Sequence, residues 1–235
     1  MTSMEHASKK TPRVYLKGTL AIGQQVAFEA GQTHYLCRVM RIGSKGGMAR
    51  VFNERDGEFL ARVSDLGEYV VPTQYLRAAD VAKRRVGLAA PLVKPDKFMA
   101  MVDMATQLGV SAIYPVYTRY CQIDKINHQK TMARILEAAE QSTRCSIPTL
   151  HPVTTLGAFV QTYEGRLVFG ALESQGRTLE SVHGDCCALI GPEGGLTQQE
   201  EMMLVQHGAT PLKLVDNVLR TEVAACVILT RLITG

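Results

Sequence analysis

Apolar residues recur along this chain in two different rhythms. Up to Val63 they come as short runs: Arg13-Val14-Tyr15-Leu16, Gln25-Val26-Ala27-Phe28, Met48-Ala49-Arg50-Val51-Phe52 and Glu58-Phe59-Leu60-Ala61-Arg62-Val63. Each run is rich in β-branched or aromatic residues. Gly18, Gly23, Gly31, the Gly46-Gly47 pair and Asp56-Gly57 punctuate them. Short strands with frequent turn signals predict a small β-barrel. His34 to Ile42 reads as a helical turn that places Arg38 and Arg41 on one face. Asp65 to Asp80 reads as a connector.

Beyond the connector, extended and helical patterns alternate. Val86 to Leu92 and Val110 to Tyr117 are apolar and extended. Between them Phe98, Met101, Val102, Ala105 and Leu108 recur at helical spacing, and Gly109 is placed to stop that helix. Met132, Ile135, Leu136 and Ala139 define a second helix that begins near Thr131. Leu167 to Leu172, Cys186 to Ile190 and Leu212 to Val215 are further strands. Thr197 with Glu200 forms a capping box and starts a helix running to Gln206. Thr221 to Ile233 is a closing apolar helix. Strands alternating with helices predict a mostly parallel sheet, so the chain as a whole is α/β.

A length of 235 residues suits two domains, and 46% hydrophobic residues can fill their cores. No apolar run approaches the roughly twenty residues a membrane span needs. The polar stretch Met1 to Lys10 lacks the core of a signal peptide, which leads us to expect a cytoplasmic protein. Six scattered cysteines, Cys37, Cys121, Cys145, Cys186, Cys187 and Cys226, include no C-x-x-C pair. They read as small buried apolar residues, with neither a disulfide framework nor a zinc site. No metal is expected. Net charge is only +4, but eight basic residues lie between Lys9 and Arg50 against one acid, Glu29. Such a local excess suits a phosphate backbone.

The candidate chemistry lies near the C-terminus. Leu189-Ile190-Gly191-Pro192-Glu193-Gly194-Gly195-Leu196 joins a strand to a helix through three glycines, a proline and one carboxylate. It fits neither a P-loop nor a G-x-G-x-x-G dinucleotide fingerprint. About twenty residues on, a second strand-to-helix junction carries Leu219-Arg220-Thr221-Glu222. Two such junctions suggest the two walls of one ligand site. Thr221 and Glu222 suit a helix start, as cap and as dipole partner. A cation there is unfavourable, which marks Arg220 as functional. Ala138-Ala139-Glu140-Gln141-Ser142 with Arg144 closes the second helix as a polar cluster.

These segments together resemble the RsmE family, the SPOUT-class methyltransferases of 16S ribosomal RNA that use S-adenosylmethionine. The run 189–196, the run 219–222 followed by Ala224-Ala225, and the 138–144 cluster are similar to its signatures. Pro12-Arg13-Val14-Tyr15, His34 with Arg38 to Arg41, Lys94 and Leu108-Gly109-Val110 also fit. The resemblance implies a PUA-like RNA-binding β-barrel over residues 1–72 and a trefoil-knotted methyltransferase domain over 73–235. It implies methylation of the N3 atom of a specific uridine in the small (30S) subunit, by a homodimer that needs no membrane or metal. Cofactor contact is expected from Leu172, Ile190, Gly191, Pro192, Glu193, Gly194, Gly195, Leu214, Val215, Val218, Leu219 and Arg220. Arg220 would stabilise charge on the base, and Glu193 or Glu222 would take its proton. Arg13, Arg38, Arg41, Lys94 and Arg144 would hold RNA. The family commonly has Gly-Pro-Arg where this chain has Val215-Asp216-Asn217. The alternative is a non-catalytic RNA-binding or ribosome-assembly protein on the same scaffold.

Overall fold

A computed structural model of the chain describes residues 11–34, 42, 47–81, 84–171 and 184–234. The chain divides into two compact units, Met1–Val81 with Ala139–Ile147, and Ala82–Ala138 with Pro148–Gly235.

The first unit holds β1 (Arg13–Tyr15), β2 (Val26–Ala27), the short helix α1 (Ala30–His34), β3 (Met48–Asn53), β4 (Gly57–Val63) and β5 (Tyr69–Arg77). They form one sheet in the order β1-β3-β4-β5-β2, with β1 parallel to β3 and the other pairs antiparallel. Val14, Val51, Ala61, Val63 and Val70 fill its core. Strand β5 corrects the expectation of a connector over Asp65 to Asp80, and it crosses the expected domain boundary after residue 72. Pro72 and the polar Thr73-Gln74 hide it in the sequence. Pro72 stands opposite Ala61, where the β4–β5 register shifts. A bulge tolerates a residue that has no N–H to donate. The Pro72 carbonyl still accepts from Gly23 N at 2.9 Å.

In the second unit β6 (Val86–Pro91), α2 (Pro95–Leu108), β7 (Ala112–Tyr117) and α3 (His128–Gln141, whose residues from Ala139 on count with the first unit) are followed by β8 (Thr149–Leu150), β9 (Thr154–Thr155) and α4 (Leu156–Thr162). Then come β10 (Arg166–Gly170), β11 (Cys186–Leu189), α5 (Gln198–Gln206), β12 (Thr210–Leu212) and α6 (Thr221–Thr234). The sheet is parallel throughout, in the order β12-β10-β11-β6-β7-β8, with β9 also on β7. Every residue of the central strands β6 and β11 is buried, as a sheet covered on both faces requires. Cys186 and Cys187 are both buried and unbridged there, as is Cys145 in the first unit. Helix α2 packs on α6, burying Phe98, Met101 and Val102 on one and Ala225, Ile228 and Leu229 on the other. Gly109 ends α2 in the left-handed region, φ 101°. Short elements escaped the periodicity reading: β8, β9 and α4, the last capped by Thr155, which accepts from Ala158 N at 3.2 Å. One strand is displaced. The expected Leu212 to Val215 strand is Thr210–Leu212, and the chain is loop from Lys213 to Arg220.

Candidate active site

The strand order places the site. From β10 the chain goes to β11 on one side and afterwards to β12 on the other. Loops leaving such a switch point diverge and open a crevice at the carboxyl ends of the strands. Gly170-Ala171, Ile190 to Leu196, Leu214-Val215 and Asn217 to Leu219 line a cavity of about 300 Å³ there, closed by Thr221 and Ala224 of α6. Two open clefts in the same unit are larger, so position rather than size singles this one out.

The first wall is a tight turn. Gly195 N donates to Pro192 O at 2.8 Å, and Gly195 sits at φ 74°, a conformation side chains resist. A Cβ on Gly191 would stand 3.1 Å from the Gly195 carbonyl carbon, so a larger residue here must push the turn aside by a few tenths of an ångström. The capping box is formed: Thr197 Oγ1 accepts from Glu200 N at 3.2 Å, and Glu200 Oε2 accepts from Thr197 N at 2.8 Å. The other Glu200 oxygen accepts from Arg119 N at 2.8 Å, and Tyr120 packs beneath Gly194. Sequence reasoning missed this buttress after β7, because its residues carry no motif.

The second wall is Leu214 to Leu219. Lys213 and Asp216 pair across its start at 2.7 Å, which leaves Val215, Asn217 and Val218 facing the cavity. Thr221 departs from its expected part as a cap. It is the first helical residue, and its hydroxyl donates to Gly191 O at 3.3 Å, tying the two walls together.

Among expected contacts, Ile190 through Gly195, Leu214, Val215, Val218 and Leu219 all line the cavity. Leu172 lies outside the described residues. Gly170, Ala171, Leu196, Glu201, Asn217, Thr221 and Ala224 line it as well, beyond the expected cofactor contacts. Arg220 falls between two wall residues and is itself exposed. Its guanidinium makes no ion pair among the described residues. The two candidate carboxylates differ. Glu193 is exposed at the tip of the turn. Glu222 is 12% exposed and meets Lys97 Nζ at 3.2 Å. Burial pushes its carboxyl upward, but its own backbone N–H, Lys97 and then Arg220 outweigh burial and hold it below the usual range.

Residues 81–233 match the model of an RNA methyltransferase domain. A ribosomal RNA small subunit methyltransferase E of Rickettsia conorii is 30% identical over 92% of both chains. This chain belongs to the ribosomal RNA small subunit methyltransferase E family. A Legionella pneumophila methyltransferase solved with the cofactor SAM bound superposes with a TM-score of 0.85 at 27% identity, covering 94% of this chain and 96% of that one. The family's enzyme from Neisseria gonorrhoeae shares the fold at a TM-score of 0.82 and 22% identity, over 93% of this chain and 95% of its own.

The family's expected RNA contacts are scattered. Arg13 is corrected outright: it is 8% exposed and fully engaged. Its guanidinium donates to Glu58 Oε1 at 3.0 Å and to the Ala139 and Arg144 carbonyls at 2.8 Å each, and lies 3.5 Å over the Phe52 ring. No face is left for a phosphate. Arg144 is half-buried and donates to Ser146 Oγ at 2.9 Å, and burial draws its pKa down to about 10. Lys94 is exposed at the N-cap of α2. Arg38 and Arg41 lie outside the described residues.

Proposed function

We propose that this chain transfers a methyl group from S-adenosylmethionine to N3 of a specific uridine in 16S ribosomal RNA. The observation that carries this reading is the meeting of two backbone-rich loops at the switch point, with the exposed Arg220, which makes no ion pair among the described residues, between two of the wall residues. The fit is good. Ile190, Leu214, Leu219 and Ala224 offer apolar walls, and a volume of about 300 Å³ is at the lower end for ligand sites. S-adenosylmethionine supplies an electrophilic methyl on a sulfonium.

The residues do the rest. The loops fix the donor while the nitrogen is brought into line at near-attack distance. Loss of the imide proton leaves negative charge on the uracil oxygens, and Arg220 is placed to stabilise it. Arginine stays protonated, so it does not serve as the base. Lys97 lowers the basicity of Glu222, whereas Glu193 has no cation partner among the described residues. Glu193 is therefore our candidate proton acceptor, and Glu222 an anchor.

The same reading takes the first unit as a PUA-like barrel, the loop crossings of the second as a trefoil knot, and the cytoplasm as the place of action. A homodimer is supported by apolar side chains left exposed in the second unit: Val218, at the cavity, is 79% exposed, and Met202, Val205 and Val223 are also open. The test is methyl transfer from labelled S-adenosylmethionine to small subunits isolated from a strain lacking the modification, with mass mapping of the nucleotide. Transfer to a uridine N3 is expected. Neither transfer nor calorimetric heat with S-adenosylmethionine would overturn the reading in favour of a non-catalytic assembly protein.

A further inference from the structure

The methyltransferase reading leaves a second cleft of the same unit without a task. It is open, about 1040 Å³, and lies between the first turn of α2 and the segment leading from Ile123 into α3. Met99, Ile123 and Ile126 give it a half-buried apolar floor, and Lys125 and Lys130 stand exposed around it. Its other charges are engaged or explained. Asp103 accepts from Gln107 at 2.7 Å and faces Arg134 at 4.0 Å, while Arg134 pairs with Glu137 at 3.1 Å. Asp96 sits in the first turn of α2, where an acid complements the helix dipole. Lys125 and Lys130 have no ion pair among the described residues. From Arg119 to Arg134 the chain carries four Lys or Arg and one acid, Asp124.

Free ammonium groups above an apolar floor suit a single strand of nucleic acid, which offers phosphates to the rim and flat base faces to the floor. The cleft also connects to the chemistry. Pro95, Asp96 and Phe98 line it, and between them Lys97 reaches Glu222, the neighbour of the cavity-wall residue Thr221. We infer that this cleft seats the RNA strand flanking the target uridine, with Lys125 and Lys130 on its phosphates. This rests on the methyltransferase reading, and the experiment separates the two.

The full-length protein carrying Lys125→Glu and Lys130→Glu is compared with wild type and with the arginine pair. S-adenosylmethionine affinity is measured by calorimetry, and binding to small subunits and to protein-free ribosomal RNA is measured across salt. The glutamate pair is expected to keep donor affinity and kcat and to raise KM for subunits roughly tenfold. It should also flatten the salt dependence of RNA binding by about one to two units of slope, and the arginine pair should restore both. Unchanged KM and slope would overturn the inference. So would a loss confined to intact subunits, which would assign the cleft to an acidic ribosomal protein, or a change in sedimentation, which would assign it to a second copy of the chain. A wild type that binds RNA but not the donor would count against the methyltransferase reading while leaving the salt slopes to decide the cleft.

Discussion

The two units organise their polar groups in opposite ways. Around Arg13 the first unit is held by side chains: Glu58 is fully buried and meets Arg13 at 3.0 Å, Arg50 at 2.7 Å and Arg77 at 2.8 Å. Around Gly191 the second unit is held mainly by backbone and by the capping carboxylate of Glu200, while Glu193 and Arg220 stand exposed. A buried carboxylate among three guanidinium groups stabilises only while every partner stays in place, because each unpaired charge left behind is costly to bury. A backbone turn tolerates changes in its neighbours but not in its own glycines. One region uses charge to fix a structure. The other keeps charge in reserve for a reaction.

The sharpest way to break this contrast is Glu58→Ala. It takes the shared carboxylate from three arginines, of which Arg77 retains Asp80 at 2.9 Å, and should cost about 3–5 kcal/mol in urea unfolding, with Glu58→Gln only partly better. Protonation acts on the same carboxyl. Burial pushes it up, but Arg13, Arg77 and Arg50 hold it below its ordinary 4.5. Its stabilising contribution is thus complete above that ordinary value and is lost as pH falls through the lowered folded one. Unfolding midpoints followed by circular dichroism should drop in that acid range, and less so in Glu58→Ala. Next in size, Arg220→Ala should lower kcat by about a hundredfold while donor affinity stays within a few-fold. A fall in affinity with kcat intact would move Arg220 from chemistry to binding. Gly191→Val should weaken donor binding by roughly tenfold or more, read by calorimetry, because the turn must open. The smallest effect is expected of Thr221→Val, about 1 kcal/mol from one lost hydrogen bond, seen as a modest rise in donor Kd.

The sequence was legible where function depends on the main chain. Glycine, proline and a capping pair declare a turn and a helix start by their own conformational needs, so the run 189–197 is legible from the sequence alone. Arg13 was legible as a cation but not as a buried one. Its partners Glu58, Ala139 and Arg144 lie 45 to 131 residues away, and no local rhythm reports such a pairing. Strand β5 was hidden for a related reason. A proline argues against a strand until the bulge across from it is known. The pairing of Glu222 with Lys97 was equally invisible, because it depends on the first turns of two helices far apart in sequence lying side by side.

The first unit borrows nine residues from far along the chain, 139–147, and fifty-seven residues intervene between its two parts. During synthesis Arg13 and Glu58 leave the ribosome long before the carbonyls of Ala139 and Arg144 that complete their shell. The amino-terminal module must therefore wait, with its charges hydrated, for a later stretch of polypeptide. An expression fragment ending near Val81 would lack that closing piece, and a split of this protein into separately produced halves would need it grafted back.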